Sequence, residues 1–189
     1  MGLQIIIDNN ALVYAHELNK HIEFWEIIKS VVDKVLVPLE VKNEFANSHD
    51  TTRQSTLALI EQGIFLDICT QYDTLSLEIF KTEKNVDAGE AEAAAQQQSV
   101  NADFIWSDDK KFTLAIKKYL ANQTVLNTLH IIARLQLSQL IIDYPTTIKQ
   151  LHFIRPINKN KLRLAFNEEA SRLGFKINEN DFVTLLSYT

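Results

Sequence analysis

Four acidic residues, Asp8, Glu44, Glu90 and Asp109, stand where elements of secondary structure are expected to meet. Carboxylate oxygens without a cysteine partner are the ligands that Mg²⁺ or Mn²⁺ prefers over zinc. Such an ion can activate water and stabilise the charge on the leaving oxygen of a phosphodiester. If the four carboxylates converge, each close pair costs roughly 3–4 kcal/mol at an effective dielectric near 20. Convergence therefore requires either a bound cation or protonation of some of the acids.

Two of these acids follow short apolar runs that are typical of buried β-strands. Asp8 comes directly after Ile5-Ile6-Ile7, and Asp109 comes shortly after Phe104-Ile105-Trp106. A parallel sheet places its ligands at the carboxyl ends of such strands. Each acid also has a purely structural explanation, because Asp8 or Asn9 could cap the helix after the first run, and Ser107 or Asp108 could cap the helix after the other. Asp108 and Asp109 are adjacent, and a single helix cap needs only one of them.

The other two acids lie on predicted helices. Glu90 is three residues after Asp87, which resembles a capping box at a helix start. Glu44 and Glu40 are four residues apart and share a helix face, so a solvated face explains them equally well. Individually, neither glutamate indicates a site.

The strands that carry these acids alternate with helices along the chain. Strands are predicted at Leu3 to Ile7, Val35 to Val37, Ile64 to Ile68 and Asp103 to Ser107, with Thr124 to Leu126 as a candidate fifth. Helical patterns occur near 11–33, 39–47, 51–62, 73–82, 88–100 and 109–119. This alternation predicts an α/β fold with a mostly parallel central sheet flanked by helices.

The pattern changes after about residue 143, where helices alone are predicted near 145–153, 158–173 and 178–187. Gly174 is a helix-stop signal. We therefore divide the chain into a body, 1–143, and a helical C-terminal extension, 144–189. Some 45 residues make a poor independent core, so the extension is expected to pack on the body.

Composition limits the function classes. The 189 residues contain one cysteine, Cys69, which excludes an intramolecular disulfide framework and a thiolate-only zinc site and favours the cytoplasm. No apolar stretch is long enough for a signal or membrane helix. The net charge of -5 is opposite to that of a generic nucleic-acid binder, so any nucleic acid would have to meet a local basic patch.

Taken in order, the acidic motifs resemble those of the PIN-domain nucleases, the fold of many toxins in bacterial toxin–antitoxin pairs. The pieces that carry the resemblance are Ile7-Asp8-Asn9-Asn10, Val37-Pro38 leading to Glu44, Gly89-Glu90-Ala91-Glu92-Ala93 and Ser107-Asp108-Asp109. The resemblance covers roughly residues 3 to 135. The tail around Arg172 to Ile177 is similar to that of a PIN subfamily of uncharacterised nucleic-acid-binding proteins.

The resemblance implies a three-layer PIN-like fold and places the family's catalytic, metal-binding acids on Asp8, Glu44, Glu90 and Asp109. Asp109 is preferred to Asp108 because the family's pattern of a hydroxyl residue, then Asp, then Phe fits Ser107, Asp109 and Phe112. Asn9, Ser107 and Asp108 are then supporting residues. The implied activity is Mg²⁺- or Mn²⁺-dependent hydrolysis of RNA that leaves a 5′-phosphate, and the partners expected are RNA, an antitoxin protein and a second copy of the chain in a homodimer.

Lysines following Asp109 are the nearest candidates for contact with RNA phosphates. Helix geometry puts Lys110 and Lys117 on one face and Lys111 on a neighbouring one, although a solvated surface explains them too. Two other function classes were considered. A PIN-fold module that binds RNA or protein without cutting should have lost an acid, and none is lost here. A haloacid-dehalogenase-type phosphatase needs Asp two residues after the first, where this chain has Asn10.

Overall fold

A computed structural model describes residues 3–120, 124–138, 144–178, 180, 182 and 183. Within them the strands are β1 (Leu3–Ile7), β2 (Val32–Pro38), β3 (Leu66–Cys69), β4 (Phe104–Trp106) and β5 (Val125–Leu126). The α-helices are α1 (Asn9–Ile22), α2 (Phe24–Ile28), α3 (Leu39–Ala46), α4 (Gln54–Gln62), α5 (Thr74–Lys81), α6 (Ala88–Val100), α7 (Lys110–Ile116), α8 (Thr128–Leu137), α9 (Tyr144–Ile154) and α10 (Lys159–Leu173). A short 3-10 helix, Thr51–Arg53, precedes α4.

The strands form one sheet in the order β3-β2-β1-β4-β5, and every described pair is parallel. Alternate side chains of β1 enter two different cores. Ile5 and Ile7 pack with α1, α8 and α10, whereas Ile6 packs with the alanines of α6 and with Phe112 of α7. The chain is therefore a three-layer α/β fold, as predicted.

The predicted helix near 11–33 is divided into α1 and α2 and ends at Ile28. Helix α1 ends at its C-cap Glu23, which adopts a left-handed conformation with φ of 50°. The reversal turns Phe24 and Trp25 into the core, where the backbone N–H of Trp25 donates to Asn19 Oδ1 at 2.9 Å. Strand β2 then begins at Val32, three residues earlier than predicted.

Helix α8 is not among the predicted helices, although Asn127 caps it and its side chain accepts from His130 N–H at 3.1 Å. Its apolar residues Ile131 and Ile132 are both buried, since α8 packs against β5, α1 and α10. Burial on several sides removes the clear polar face that makes a helix visible in sequence.

Helices α9 and α10 pack on the body, α9 against α1 and α10 against α8. The predicted helices near 145–153 and 158–173 are therefore present. The predicted boundary at 143 and most of the predicted helix 178–187 lie outside the described residues, so both stay predictions.

A buried ion-pair triad joins α10 to α8. The fully buried carboxylate of Glu169 accepts from Arg134 Nε of α8 at 2.7 Å and from the guanidinium of Arg172. Both arginines are themselves mostly buried. The triad therefore ties α10 to α8 through charges that depend on one another.

We expect Glu169→Gln to lower the free energy of unfolding by about 3 kcal/mol, because it leaves two buried arginines without a counter-charge. Urea unfolding followed by circular dichroism would measure the loss. The matched control is Glu168→Gln, which affects a more exposed pair with His130 and should change stability by less than about 1 kcal/mol. Equal effects of the two variants would contradict a stabilising role for the buried triad.

Candidate active site

Asp8 lies where the strand order reverses, between β1 and β4. Ile7 pairs with Trp106, and the backbone N–H of Asp8 donates to the Trp106 carbonyl at 3.0 Å. In open parallel sheets, ligands bind outside the carboxyl ends of the strands at such a switch point. The strand order therefore places Asp8 in the crevice where a site is expected.

The Asp8 carboxylate is 1% exposed and only partly used by its cap. Its Oδ1 accepts from Ala11 N–H at 2.9 Å, whereas its Oδ2 is buried with no hydrogen-bond partner among the described residues. Burial raises the pKa of Asp8 to about 7, and the nearby Ser107 hydroxyl opposes that rise. The cap explanation thus accounts for one oxygen of Asp8 and leaves the other available to a ligand.

Ser107 and Asp109 follow the neighbouring strand, β4. The buried Ser107 hydroxyl accepts from Asp109 N–H at 3.1 Å and lies beside Asp8, so it links the two strand ends. Asp109 caps α7, with Oδ1 accepting from Lys111 N–H at 2.5 Å and from Phe112 N–H at 3.0 Å. Since both bonds end on Oδ1, the second oxygen of Asp109 lies outside the cap.

Asp108 has a different set of partners. Its carboxylate accepts from the Thr128 N–H at 3.2 Å and from the Thr128 hydroxyl, and it pairs with Arg155 at 3.2 Å. Burial raises the pKa of Asp108, while Thr128 and Arg155 lower it. These contacts hold the end of β4 against α8 and the residue after α9, so Asp108 has a structural role that Asp109 does not share.

Glu90 lies in the first turn of α6, close to both strand-end acids. Its Oε2 accepts from Asp87 N–H at 3.0 Å, and Asp87 Oδ1 accepts from Glu90 N–H at 2.8 Å, so the predicted capping box is present. Burial, together with the charges of Asp87, Asp8 and Asp109, raises the pKa of Glu90 to about 8, while the hydrogen bond from Asp87 N–H opposes the rise. The capping box and the acidic cluster therefore involve the same carboxylate.

Glu44 reaches the cluster from α3. A Cβ added to Gly89 would lie 3.2 Å from Glu44 Oε1 and 3.1 Å from Val41 Cγ2, so glycine permits the close approach of α6 to α3. Burial raises the pKa of Glu44, followed by the charges of Asp87 and Glu40, while a hydrogen bond from Asn9 lowers it. The side chain of Asn9 is therefore a direct neighbour of Glu44.

Glu92, which lies on α6 as Glu90 does, fixes the start of α3. Its Oε2 accepts from Glu40 N–H at 2.8 Å, at the N-terminus that Pro38 leaves without a side-chain cap. Glu92 is 5% exposed, and burial raises its pKa. Helix α6 thus carries Glu90 and also positions the helix that carries Glu44.

A cavity of about 80 Å³ lies among these side chains. It is lined by Asp8, Asn9, Asn10, Val41, Glu44, Asp87, Gly89 and Glu90. Three of the four predicted acids therefore share one cavity, and Asp109 borders it closely enough to affect Glu90. Their catalytic and metal-binding roles stay predictions.

Asp87 is a member of the cluster that sequence reasoning treated only as a cap. Its charge raises the pKa values of Asp8, Glu44 and Glu90, and its side chain lines the cavity. One signal was present, since two acids three residues apart at a helix start put two carboxylates on one turn.

The residues around the cavity fit a hard divalent cation. The donors are carboxylate and amide oxygens, the set preferred by Mg²⁺ and Mn²⁺. Two of those oxygens, Asp8 Oδ2 and Asn9 Oδ1, are buried without a hydrogen-bond partner in the described part of the chain. A cation would satisfy both atoms and offset the repulsion that raises the neighbouring pKa values.

A second group of possible ligands does not fit as well. One ligand atom each from His16, Glu17 and Asp50 lies within 4.8 Å of the others. However, Lys20 Nζ already lies 2.7 Å from Glu17 and 3.4 Å from Asp50, and both His16 nitrogens contact threonine hydroxyls. A lysine ammonium therefore occupies the position that a cation would take.

The three lysines predicted to meet nucleic acid are separated by the structure. Lys110 and Lys117 line a larger cleft beside Ser107 and Asp109. Lys111 is exposed but does not line this cleft. The shared face predicted for Lys110 and Lys117 is therefore present.

Comparison with known proteins is consistent with this geometry. The chain matches a family model described as a PIN domain over residues 4–163, and it therefore belongs to the PIN-domain family. PIN domains are generally nucleases, and PIN nucleases use divalent metals. No curated protein and no solved structure matches the chain.

The matched residues extend from β1 into α10, beyond the predicted body. In the described part of the chain, no helix is both long enough and apolar enough to cross a membrane.

Proposed function

We propose that the chain is a Mg²⁺- or Mn²⁺-dependent endoribonuclease. The observation that carries the proposal is the convergence of Asp8, Glu44 and Glu90 on one cavity at the switch point of the sheet. Family membership supports a nuclease, and the oxygen-only donor set supports a hard cation. RNA as the substrate rests on the resemblance to toxin nucleases.

Four carboxylates would hold the metal: Asp8, Glu44, Glu90 and Asp109. When bound, the metal would act as a Lewis acid on the phosphodiester and lower the pKa of water. Ser107 orients Asp109, because the Ser107 hydroxyl accepts from the backbone N–H of Asp109. Asn9 forms a hydrogen bond with Glu44. Residues Glu92 and Gly89 set the distance between α3 and α6, and so between Glu44 and Glu90.

The test is a cleavage assay with purified, EDTA-treated protein and a fluorescent single-stranded RNA. We expect cleavage on addition of Mg²⁺ or Mn²⁺, none in EDTA, and products that carry a 5′-phosphate and a 3′-hydroxyl. A single-stranded DNA of the same sequence tests the choice of RNA. Binding of RNA without cleavage in any divalent ion would contradict the proposal and favour a non-cleaving module.

The lysine pair on α7 provides a separate prediction about how an acidic protein holds RNA. A chain with a net charge of -5 gains no overall attraction to RNA, so the attraction has to be local. We expect Lys110→Gln with Lys117→Gln to weaken RNA binding and to flatten its salt dependence by a slope of about one to two. The cleavage rate at saturating RNA should change little.

Anisotropy titrations at several salt concentrations would measure both quantities. Lys29→Gln with Lys149→Gln is the matched control, because it removes the same charge from exposed positions that do not line the cleft. An unaltered slope in the Lys110 and Lys117 variant would show that these lysines are only solvated surface. The antitoxin partner, the homodimer and the cytoplasmic location stay predictions.

A further inference from the structure

A second, larger cleft opens beside the acidic cavity, and the proposed chemistry does not use it. Its volume is about 470 Å³, within the range of small-molecule sites. Helix α7 forms one wall, the start of α8 forms the floor, and α10 with the segment before it forms the other wall. The cleft therefore lies between α7 and α8 of the body and α10 of the C-terminal extension.

The cleft and the candidate metal site adjoin each other. Ser107 and Asp109 line the cleft, and Ser107 directly follows Trp106, whose carbonyl accepts from the backbone N–H of Asp8 at 3.0 Å. An RNA strand with one phosphate at the acidic cluster could therefore place the neighbouring nucleotide in the cleft.

The charges that line the cleft favour an anion. Lys110, Lys117 and Lys161 approach it from two walls, and none of them pairs with a carboxylate in the described part of the chain. By contrast, Arg155 is neutralised by Asp108 and Arg172 by Glu169. Asp109 and Glu168 also line the cleft, so the three lysines leave it with a small excess of positive charge, and this excess provides the local attraction that a phosphate chain requires.

Apolar side chains between these cations could receive a base. Val125, Leu129 and Leu151 line the cleft, and Leu164 of α10 lines it while remaining 56% exposed. A base presents a flat apolar face, which these side chains could contact. Cations together with apolar side chains match a nucleotide better than they match a simple anion.

We propose that this cleft binds one nucleotide of the RNA strand next to the phosphate that is cleaved, with α10 supplying one wall. The phosphate lies against Lys117 and Lys161, and the base lies against Leu164. Helix α10 is thereby part of the substrate site as well as part of the fold. This inference rests on the proposed function, since it takes RNA as the substrate.

The experiment is photo-crosslinking of short single-stranded RNAs that carry one 4-thiouridine at successive positions, with Ca²⁺ in place of Mg²⁺ to limit cleavage. We expect one position of the strand to crosslink to a peptide of α10 that includes Lys161 or Leu164. Crosslinks confined to α1 and α7, with none to residues 155–172 at any position, would overturn the proposal.

A variant provides an independent readout. Lys161→Gln with Leu164→Ala changes two exposed side chains, so the fold should persist. We expect the Kd for short RNA to rise about tenfold, through loss of the apolar contact with the base and of one phosphate contact, and the salt slope to fall by about 0.7. The matched control is Lys149→Gln with Leu114→Ala, two exposed positions that do not line the cleft.

The two proposals fail in different ways. If the unmodified protein does not cleave RNA in Mg²⁺ or Mn²⁺, the proposed function fails. If it cleaves RNA, but the Lys161 and Leu164 variant binds RNA as tightly as the control, the cleft inference alone fails. In that case the cleft belongs to a ligand of another class, such as a protein segment.

Discussion

Asp8→Asn and Asp109→Asn should each lower metal-dependent RNA cleavage by at least about a hundredfold while the fold stays intact. Loss of residues that only orient metal ligands costs about 10–100-fold, so loss of a ligand charge should cost more. Asparagine keeps the oxygen that caps each helix: the one at position 8 accepts from Ala11 N–H, and the one at position 109 accepts from Phe112 N–H. The substitution therefore removes the charge and preserves the local structure.

Single-turnover cleavage at saturating Mg²⁺ measures the effect, and circular dichroism verifies the fold. Glu78→Gln is the control, because it removes a carboxylate charge from an exposed position on α5. Asp108→Asn should instead act mainly on stability, because its carboxylate is engaged by Thr128 and Arg155. Cleavage at wild-type rates by both Asp8→Asn and Asp109→Asn would contradict the assignment of these residues to the active site.

The metal-free protein should lose stability as the pH rises from about 5 to 8. The pKa of Asp8 rises from 3.8 to about 7 on folding, and that of Glu90 rises from 4.5 to about 8. Between these values the folded chain binds more protons than the unfolded chain, so the free energy of unfolding falls with increasing pH. For Asp8 alone, the rise corresponds to about 4 kcal/mol at a pH above the folded value.

Two variants isolate this effect from other titrating groups. Asp8→Asn and Glu90→Gln should each be more stable than the wild type at pH 8 in EDTA. The difference should shrink as the pH falls and vanish only below the ordinary pKa values of 3.8 and 4.5, where both carboxyls are protonated in the unfolded chain as well. Glutamine at position 90 retains the oxygen that accepts from Asp87 N–H. Urea unfolding at each pH measures the difference, with Glu78→Gln as the control.

Bound Mg²⁺ or Mn²⁺ should offset the loss of stability that the metal-free protein shows at high pH. Mg²⁺ or Mn²⁺ binds the folded state and so raises the melting temperature, more strongly at pH 8 than at pH 5, because protons compete for the same oxygens. Asp8→Asn should show a smaller rise. Identical pH slopes in the wild type and both variants, with no metal effect in any of them, would show that the acids do not form a coupled cluster.

Local sequence patterns were sufficient to predict the sheet and part of the site. Apolar β-branched runs mark β1 and β4, and the acids that follow them must lie near the carboxyl edge of a parallel sheet. The helix of residues 88–100 has the predicted bounds, since a capping box starts it and the good helix formers Ala and Gln continue it. These features depend on residues within a few positions of one another, which is why the sequence shows them.

Other features depend on contacts between distant segments. The different partners of Asp108 and Asp109 follow from Thr128 and Arg155, which lie 20 and 47 residues from Asp108 along the chain. The contact of Glu44 with the cluster follows from the absence of a side chain at Gly89 on another helix. Neither can be read from spacing, because the direction of a side chain and the distance between helices are set by packing.

The order of the acids along the chain is thus a property of the sequence, whereas their meeting at one cavity, the inclusion of Asp87 and the cleft against α10 are properties of the packed fold. Carboxylates that repel one another do not gather through local propensity. They are held together because two apolar cores, one on each face of the sheet, fix α1, α3 and α6 around the end of β1. Burial of those cores provides the free energy that offsets the repulsion.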